Sequence, residues 1–293
     1  MPLLFINFSP PAPPPPRFFN HLFNLAHIPL FTLITFTCWQ TLSRRFQPLR
    51  TTLLFCLTLT LFLGIVIELA QSYSGRSASL SDLRLNLLGI TLFLAIGPGD
   101  LPYPSRARRL FGLTATIWLL IECRPLYLSV VDYRRLQDQP TLLSDFETHG
   151  QASRWSQGKR VLLNRDPGGF ALRVPLSTDT YTGSTLEYFN RNWSPYESLQ
   201  LDIYNGDQQP QQIQIKIRDS QAVIDGDLGS MRFDSQRLLK PGWNTFSIPI
   251  QKIAQAPQTR RMDLDSIHAL TLFQMNRTTP GFMLIDNVRL RED

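Results

Sequence analysis

Cysteine is nearly absent from this chain: 293 residues contain three, Cys38, Cys56 and Cys123, all inside apolar segments. That excludes a disulfide framework and any zinc site built on paired cysteines. It leaves three small, soft side chains suited to apolar packing. Histidine is scarce too, at four, and His149 and His268 stand apart from any second ligand. No glycine-rich phosphate loop, His-Glu-x-x-His helix or nucleophile elbow occurs, so those signatures of nucleotide, zinc-protease and serine-hydrolase chemistry are missing. No basic stripe with interleaved aromatics accompanies the net charge of +6, which argues against a nucleic-acid partner.

What is present divides into two unlike halves. Residues 18–131 are dominated by Leu, Phe, Ile and Thr, whereas residues 141–293 are mixed, polar and rich in Asp, Gln, Asn and Arg. Four apolar runs stand out in the first half: 18–42, 51–70, 80–97 and 110–131. Each is about the ~20 residues that a helix needs to cross ~30 Å of hydrocarbon. The third is the shortest and carries Asp82, Arg84 and Asn86 in its first turns, so a buried or re-entrant helix is its alternative. The predicted organisation is a disordered Pro-rich lead (1–17), a four-helix transmembrane bundle (18–131), a linker (132–140) and an all-β domain (141–293). The lead has neither a basic n-region nor a small-residue cleavage site, so the first helix is expected to act as an uncleaved export signal.

Arginines set the orientation. Arg44, Arg45 and Arg50 follow the first helix and Arg106, Arg108 and Arg109 precede the fourth, while the loop between the second and third holds only Arg76. The two Arg-rich loops are expected in the cytoplasm, with both chain ends outside it. Polar residues within apolar helices cost a few kcal/mol at mid-bilayer, so they are expected to face the bundle interior and find partners. Glu68 and Gln71 share one helix face, and Asp82 and Asn86 another. Gly89 extends the second face and allows close helix contact. His21 and Glu122 read as lone charges.

The segment Glu68-Leu-Ala-Gln71, Gly75-Arg76-Ser77, Asp82, Asn86 and Gly89, with His27 on the first helix, resembles the VanZ-like membrane family. The resemblance spans about the first 130 residues and implies its helical architecture. His27, Glu68, Gln71, Arg76, Asp82 and Asn86 form the candidate polar cluster. It is either a pocket opening to the outer leaflet for a lipid-linked glycan or headgroup, or interhelical glue.

Beyond residue 140 the chain breaks into short runs at 170–175, 199–205, 211–219, 243–250, 267–274 and 282–290, punctuated by Gly, Pro, Asn and Asp. In Gln212-Ile-Gln-Ile-Lys-Ile-Arg218 apolar and polar residues alternate strictly, as in a strand with one buried face. Many strands without a helical period predict a two-sheet sandwich. The order Asp145-Phe-Glu147, Trp193-Ser-Pro-Tyr-Glu-Ser-Leu199, Ile217-Arg-Asp219, Pro241-Gly-Trp-Asn244 and Leu284-Ile-Asp-Asn-Val-Arg-Leu290 resembles carbohydrate-binding modules of the galactose-binding jelly-roll type. Complex-I assembly-factor domains share that layout. The resemblance implies a jelly roll and a glycan ligand.

Sugars are held by aromatic rings against their apolar faces and by amides and carboxylates on their hydroxyls. Tyr181, Tyr188, Trp193 and Tyr196 are the glycan-binding candidates, with Trp155 and Trp243 as further aromatics. Trp193 and Trp243 also suit core packing, and the two tyrosines read as lying in a polar connection between residues 178 and 193. Asp145, Glu147 and Asp286 are candidates for a structural calcium ion; no other cofactor is implied. The sequence thus points to a multi-pass protein of the bacterial cytoplasmic membrane with an extracytoplasmic glycan-binding domain, more a binder than an enzyme. Its partners are the membrane and a polysaccharide or lipid-linked glycan. An enzyme acting on a lipid-linked glycan and a structural or assembly factor are the alternatives.

Overall fold

The computed structural model describes residues 17–73, 80–163, 168–224 and 229–292. The Pro-rich lead through residue 16 and the segment with Gly75, Arg76 and Ser77 lie outside them. The chain divides into two compact units, with the boundary between Val130 and Val131.

The first unit is helical: α1 (Arg17–Leu25), α2 (His27–Leu42), α3 (Leu49–Tyr73), α4 (Leu80–Ile96) and α5 (Ser105–Asp138). The short break between α1 and α2 falls where Pro29 would clash with the carbonyl of Leu25, four residues earlier. Among the described residues, three stretches are long and apolar enough to cross a membrane, Arg17–Leu42, Leu49–Gln71 and Ser105–Asp138. The expected fourth span is not confirmed. The described part of α4, 17 residues, rises about 25 Å against ~30 Å of hydrocarbon, at the short end of the range for a span. It is also the helix that buries Leu85, Asn86, Leu88, Gly89, Ile90 and Phe93. A Cβ on Gly89 would lie 2.6 Å from the Ile28 carbonyl oxygen, so glycine is what lets α4 close on α2. Thr32 Oγ1 crosses the same contact to the Gly89 carbonyl at 2.9 Å. A second packing centre joins Trp39, Leu53, Cys56, Phe93 and Leu101.

The second unit is a sandwich of two antiparallel sheets. Ten strands are present among the described residues: β1 (Leu142–Ser144), β2 (Lys159–Leu162), β3 (Phe170–Leu176), β4 (Tyr181–Leu186), β5 (Ser198–Asn205), β6 (Gln211–Asp219), β7 (Phe233–Leu239), β8 (Gly242–Pro249), β9 (Ile267–Met275) and β10 (Gly281–Arg291). One sheet runs β2-β3-β10-β5-β8 with β1 also on β10; the other runs β4-β9-β6-β7. The alternation in β6 does what the sequence requires: Ile213, Ile215 and Ile217 are fully buried. They meet Leu199, Leu201, Ile203, Leu270, Leu272, Met283 and Ile285 in the core between the sheets.

The segment read as a linker, 132–140, is helical through Asp138. Asp132 Oδ1 and Oδ2 each accept from the Arg154 guanidinium at 2.7 Å. Arg154 also donates to the Leu143 carbonyl at 3.0 Å, so the end of α5 belongs to the β unit.

Candidate functional site

Three helices bring the expected polar residues of the helical unit together. His27 opens α2, Glu68 and Gln71 lie near the end of α3, and Asp82 and Asn86 occupy the first turns of α4. Each is buried except Asp82, which is half-buried. His27 Nδ1 donates to Asn86 Oδ1 at 2.9 Å, and the His27 ring stacks on Phe31. Asn86 is fully buried, and its Nδ2 has no hydrogen-bond partner among the described residues. One ligand atom from each of His27, Glu68 and Asp82 lies within 4.8 Å of the other two. Among the described residues this is the group of three acidic, histidine or cysteine side chains close enough to hold an ion. Arg76, counted in the cluster from sequence, lies outside the described residues. Glu122 is not the lone charge its sequence context implies: it pairs with Arg84 at 2.7 Å and accepts from Trp118 Nε1 at 3.0 Å.

The β unit sorts the aromatic candidates by burial. Trp193 is fully buried in the sandwich core, with Nε1 donating to the Asn190 carbonyl at 3.0 Å. Tyr196 is in the same core, where burial first, and then the charge of Glu292, pushes its hydroxyl pKa up. Neither ring is open to a sugar; both stand at the entry to β5, where core anchors and loop platforms look alike in sequence. Trp155 is also a core ring. Tyr188 is half-buried in the loop after β4.

Tyr181 differs from these: it is 64% exposed. It does not lie in a polar connection, as the sequence reads, but opens β4, an edge strand. Thr182, Ser184 and Leu186 point inward there, and two hydroxyls in the buried positions hide the strand from a hydrophobicity pattern. Tyr181 packs on Phe273 with ring centroids 5.9 Å apart. The register places Phe273 between Gly183 and Gln214, and Gln214 opposite Gln236. A Cβ on Gly183 would come within 2.6 Å of Phe273 Cβ, so the absent side chain leaves the ring its place. One row along, Thr271 lies between Thr185 and Lys216, and the two threonine hydroxyls are 3.0 Å apart. Gln236 Nε2 donates to Gln212 Oε1. The outer face of this sheet thus carries two neighbouring rings beside amides, hydroxyls and a lysine. Phe273 and the three glutamines are not singled out by the sequence; the strict alternation in β6 is the signal that Gln212 and Gln214 share an outward face.

The other sheet carries Tyr204, Trp243 and Phe282 on its outer side. Tyr204 meets Trp243 edge-on at 5.4 Å and stacks on Phe282 at 6.4 Å, and the Arg173 guanidinium covers Phe282 at 4.0 Å. These rings mostly cover one another. The calcium candidates are not gathered into one cluster. Glu147 Oε1 accepts from the Phe170 amide at 2.9 Å, Asp145 Oδ1 from the Glu147 amide at 3.2 Å and Asp286 Oδ1 from the Asn287 amide at 2.7 Å.

No protein-family model matches the chain, and no curated protein does. Among solved structures, the C-terminal part is similar to an exo-β-agarase, at 14% identity and a TM-score of 0.42, over 52% of this chain and 25% of that one. The chain therefore spans about a quarter of that enzyme's length. It is also similar to a family 11 carbohydrate-binding module from Clostridium thermocellum in complex with a β-1,3-1,4-mixed-linked tetrasaccharide, at 19% identity and a TM-score of 0.39, over 51% of this chain and 94% of that one. A family 30 carbohydrate-binding module matches at 14% identity and a TM-score of 0.36, over 47% of this chain and 84% of that one.

Proposed function

We propose that this chain is a membrane-anchored glycan-binding protein of the bacterial envelope. In this reading the apolar helices hold it in the cytoplasmic membrane, and the β unit outside the cytoplasm binds a polysaccharide or lipid-linked glycan through the outer face of the β4-β9-β6-β7 sheet. The observation that carries the reading is Tyr181, a 64% exposed ring backed by Phe273 and neighboured by glutamine amides and threonine hydroxyls. A ring of this kind takes the apolar face of a pyranose, while amides and hydroxyls replace the water lost from the sugar's own hydroxyls. The sequence resemblance to carbohydrate-binding modules points the same way. The arginine asymmetry of the loops supports an extracytoplasmic β unit.

Glycan-array binding by the full chain in detergent, repeated with Tyr181→Ala, tests the reading. Loss of the ring is expected to weaken binding by about 1–3 kcal/mol, as for other aromatic anchors, without lowering the melting temperature. Trp193→Ala is the contrasting control and costs about 3–5 kcal/mol of stability as a core truncation. A folded chain that binds no glycan overturns the reading and favours an assembly factor. Alkaline phosphatase fused after the last residue is expected to be active if the β unit lies outside.

A further inference from the structure

The polar cluster of the helical unit has the donor set of a cation site. Two carboxylates and an imidazole converge from three helices, with one ligand atom of each within 4.8 Å of the others. Carboxylates so close together repel, and the repulsion grows as the surroundings become less polar. A divalent cation between them converts that repulsion into attraction and leaves the group neutral overall: two carboxylates, one neutral imidazole and a charge of +2. Three ligand atoms ~2.1 Å from one ion lie about 3.4 Å apart in a tetrahedral set, so separations of up to 4.8 Å close on it by side-chain shifts of up to about 1.4 Å.

A separate observation concerns the imidazole. Asn86 Oδ1 can only accept, so the Nδ1–H of His27 donates to it and the ring's lone pair is left on Nε2. This is how metal-binding histidines are generally held, with the second nitrogen fixed by an outer partner. Asn86 has no access to solvent and leaves its Nδ2 unpartnered among the described residues. It is positioned for His27 at the expense of its own amide. A Cβ on Gly64 would lie 3.0 Å from that Nδ2, so a glycine on α3 makes the room. Phe31, fully buried, fixes the His27 ring from one side.

We propose that His27, Glu68 and Asp82 bind a divalent transition-metal ion, with Asn86 as the residue that positions His27. An imidazole with two carboxylates suits Zn²⁺, Mn²⁺ or Fe²⁺, whereas Ca²⁺ and Mg²⁺ prefer all-oxygen sites. Three protein ligands leave at least one coordination position for water or an oxygen of a bound molecule, as in catalytic rather than structural zinc sites. The site lies in the helical unit and does not depend on the glycan reading.

The test uses the full chain purified in detergent, stripped with a chelator, and titrated with Zn²⁺ against a chromophoric competitor. Co²⁺ serves as the spectroscopic probe. One ion per chain is expected, with cobalt d–d bands of a low-coordinate site containing nitrogen. His27→Gln and Asp82→Asn are expected to weaken binding by about 10–100-fold. Asn86→Leu is expected to do the same and Asn86→Asp to restore it, because a carboxylate still accepts from Nδ1–H; a merely structural role would not give that rescue. Circular dichroism confirms that each variant keeps its helices. A folded wild-type chain that takes up no stoichiometric Zn²⁺ or Co²⁺ overturns the proposal. So does binding that all of these folded variants retain with unchanged affinity, which would mark an adventitious ion.

Discussion

Polar side chains occupy opposite places in the two units. In the helical unit they are inside: His27, Thr35, Thr60, Glu68, Gln71 and Asn86 are buried, while Leu54, Phe55, Phe62, Leu120 and Ile121 are each more than half exposed. In the β unit the inside is Leu, Ile, Val and aromatic rings, and the glutamines, threonines and lysine of the four-stranded sheet lie on its outer face. The first arrangement suits a hydrocarbon surrounding and the second suits water. Buried charge is handled differently as well. The β unit pairs Arg154 with Asp132 and Arg260 with Asp219 at salt-bridge distance; the helical unit pairs Arg84 with Glu122 and in addition gathers two carboxylates and a histidine.

The sharpest way to break this contrast is to cut it in the wrong place. Arg154 is 3% exposed, and the aspartate that neutralises it lies ahead of the expected start of the β domain at residue 141. A fragment 141–293 keeps the guanidinium and loses Asp132, leaving a buried charge without its partner, which costs about 3–5 kcal/mol. The fragment Val131–Asp293 is therefore expected to unfold at a distinctly higher urea concentration than 141–293. Equal midpoints would mean that the pair is no part of what stabilises the sandwich.

A smaller effect tests the helical side. Gly89→Ala puts a methyl group against the Ile28 carbonyl and the Phe31 side chain, and is expected to destabilise the α2–α4 contact by about 1–3 kcal/mol, as overpacking does. Gly112→Ala is its control, since its Cβ meets only Ala95, at 3.9 Å; alanine's higher helix propensity makes it neutral or slightly favourable. Denaturation of the full chain in mixed detergent micelles measures both. Similar losses in the two variants would remove the close-approach role given to Gly89.

The contrast also decides what could be read from sequence. In an apolar background each polar residue is an exception, so His27, Glu68, Gln71, Asp82 and Asn86 could be gathered before their positions were known. The third run, 80–97, is also the shortest in sequence, and α4 spans Leu80–Ile96. In the β unit polar residues are the rule and carry little information singly. Strict alternation marked β6, and runs of mixed aliphatic residues marked β3, β5, β8, β9 and β10. The edge strand β4 and its Tyr181 resemble a loop in sequence because Thr182 and Ser184 fill buried positions with hydroxyls. Trp193 and Tyr196 could not be separated from surface platforms, since burial depends on which strands pair far along the chain.

The smallest expected effect distinguishes buried neutrality from buried pairing within the β unit. Burial, followed by the charges of Arg191 and Arg218, lowers the His268 pKa from its ordinary 6.5 to about 4. Between those values the unfolded chain binds the proton and the folded chain does not, so stability rises with pH across that window and is lost as pH falls from 6.5 towards 4. Asp219 acts lower down. Burial alone would raise it, but Arg260 and the backbone amides of Asp263 and Ala222 hold it below its ordinary 3.8, so its contribution is kept at pH 4 and disappears in stronger acid. Because His268 is only partly shielded from water, its share is on the order of 1 kcal/mol after screening. Thermal melts of Val131–Asp293 from pH 7 to pH 4 are expected to show that decline, and His268→Gln to flatten it while leaving the acid limb below pH 4 in place. A decline between pH 6.5 and 4 that survives His268→Gln would assign it to carboxylates and show that the sandwich tolerates a charged imidazole beside Arg191 and Arg218.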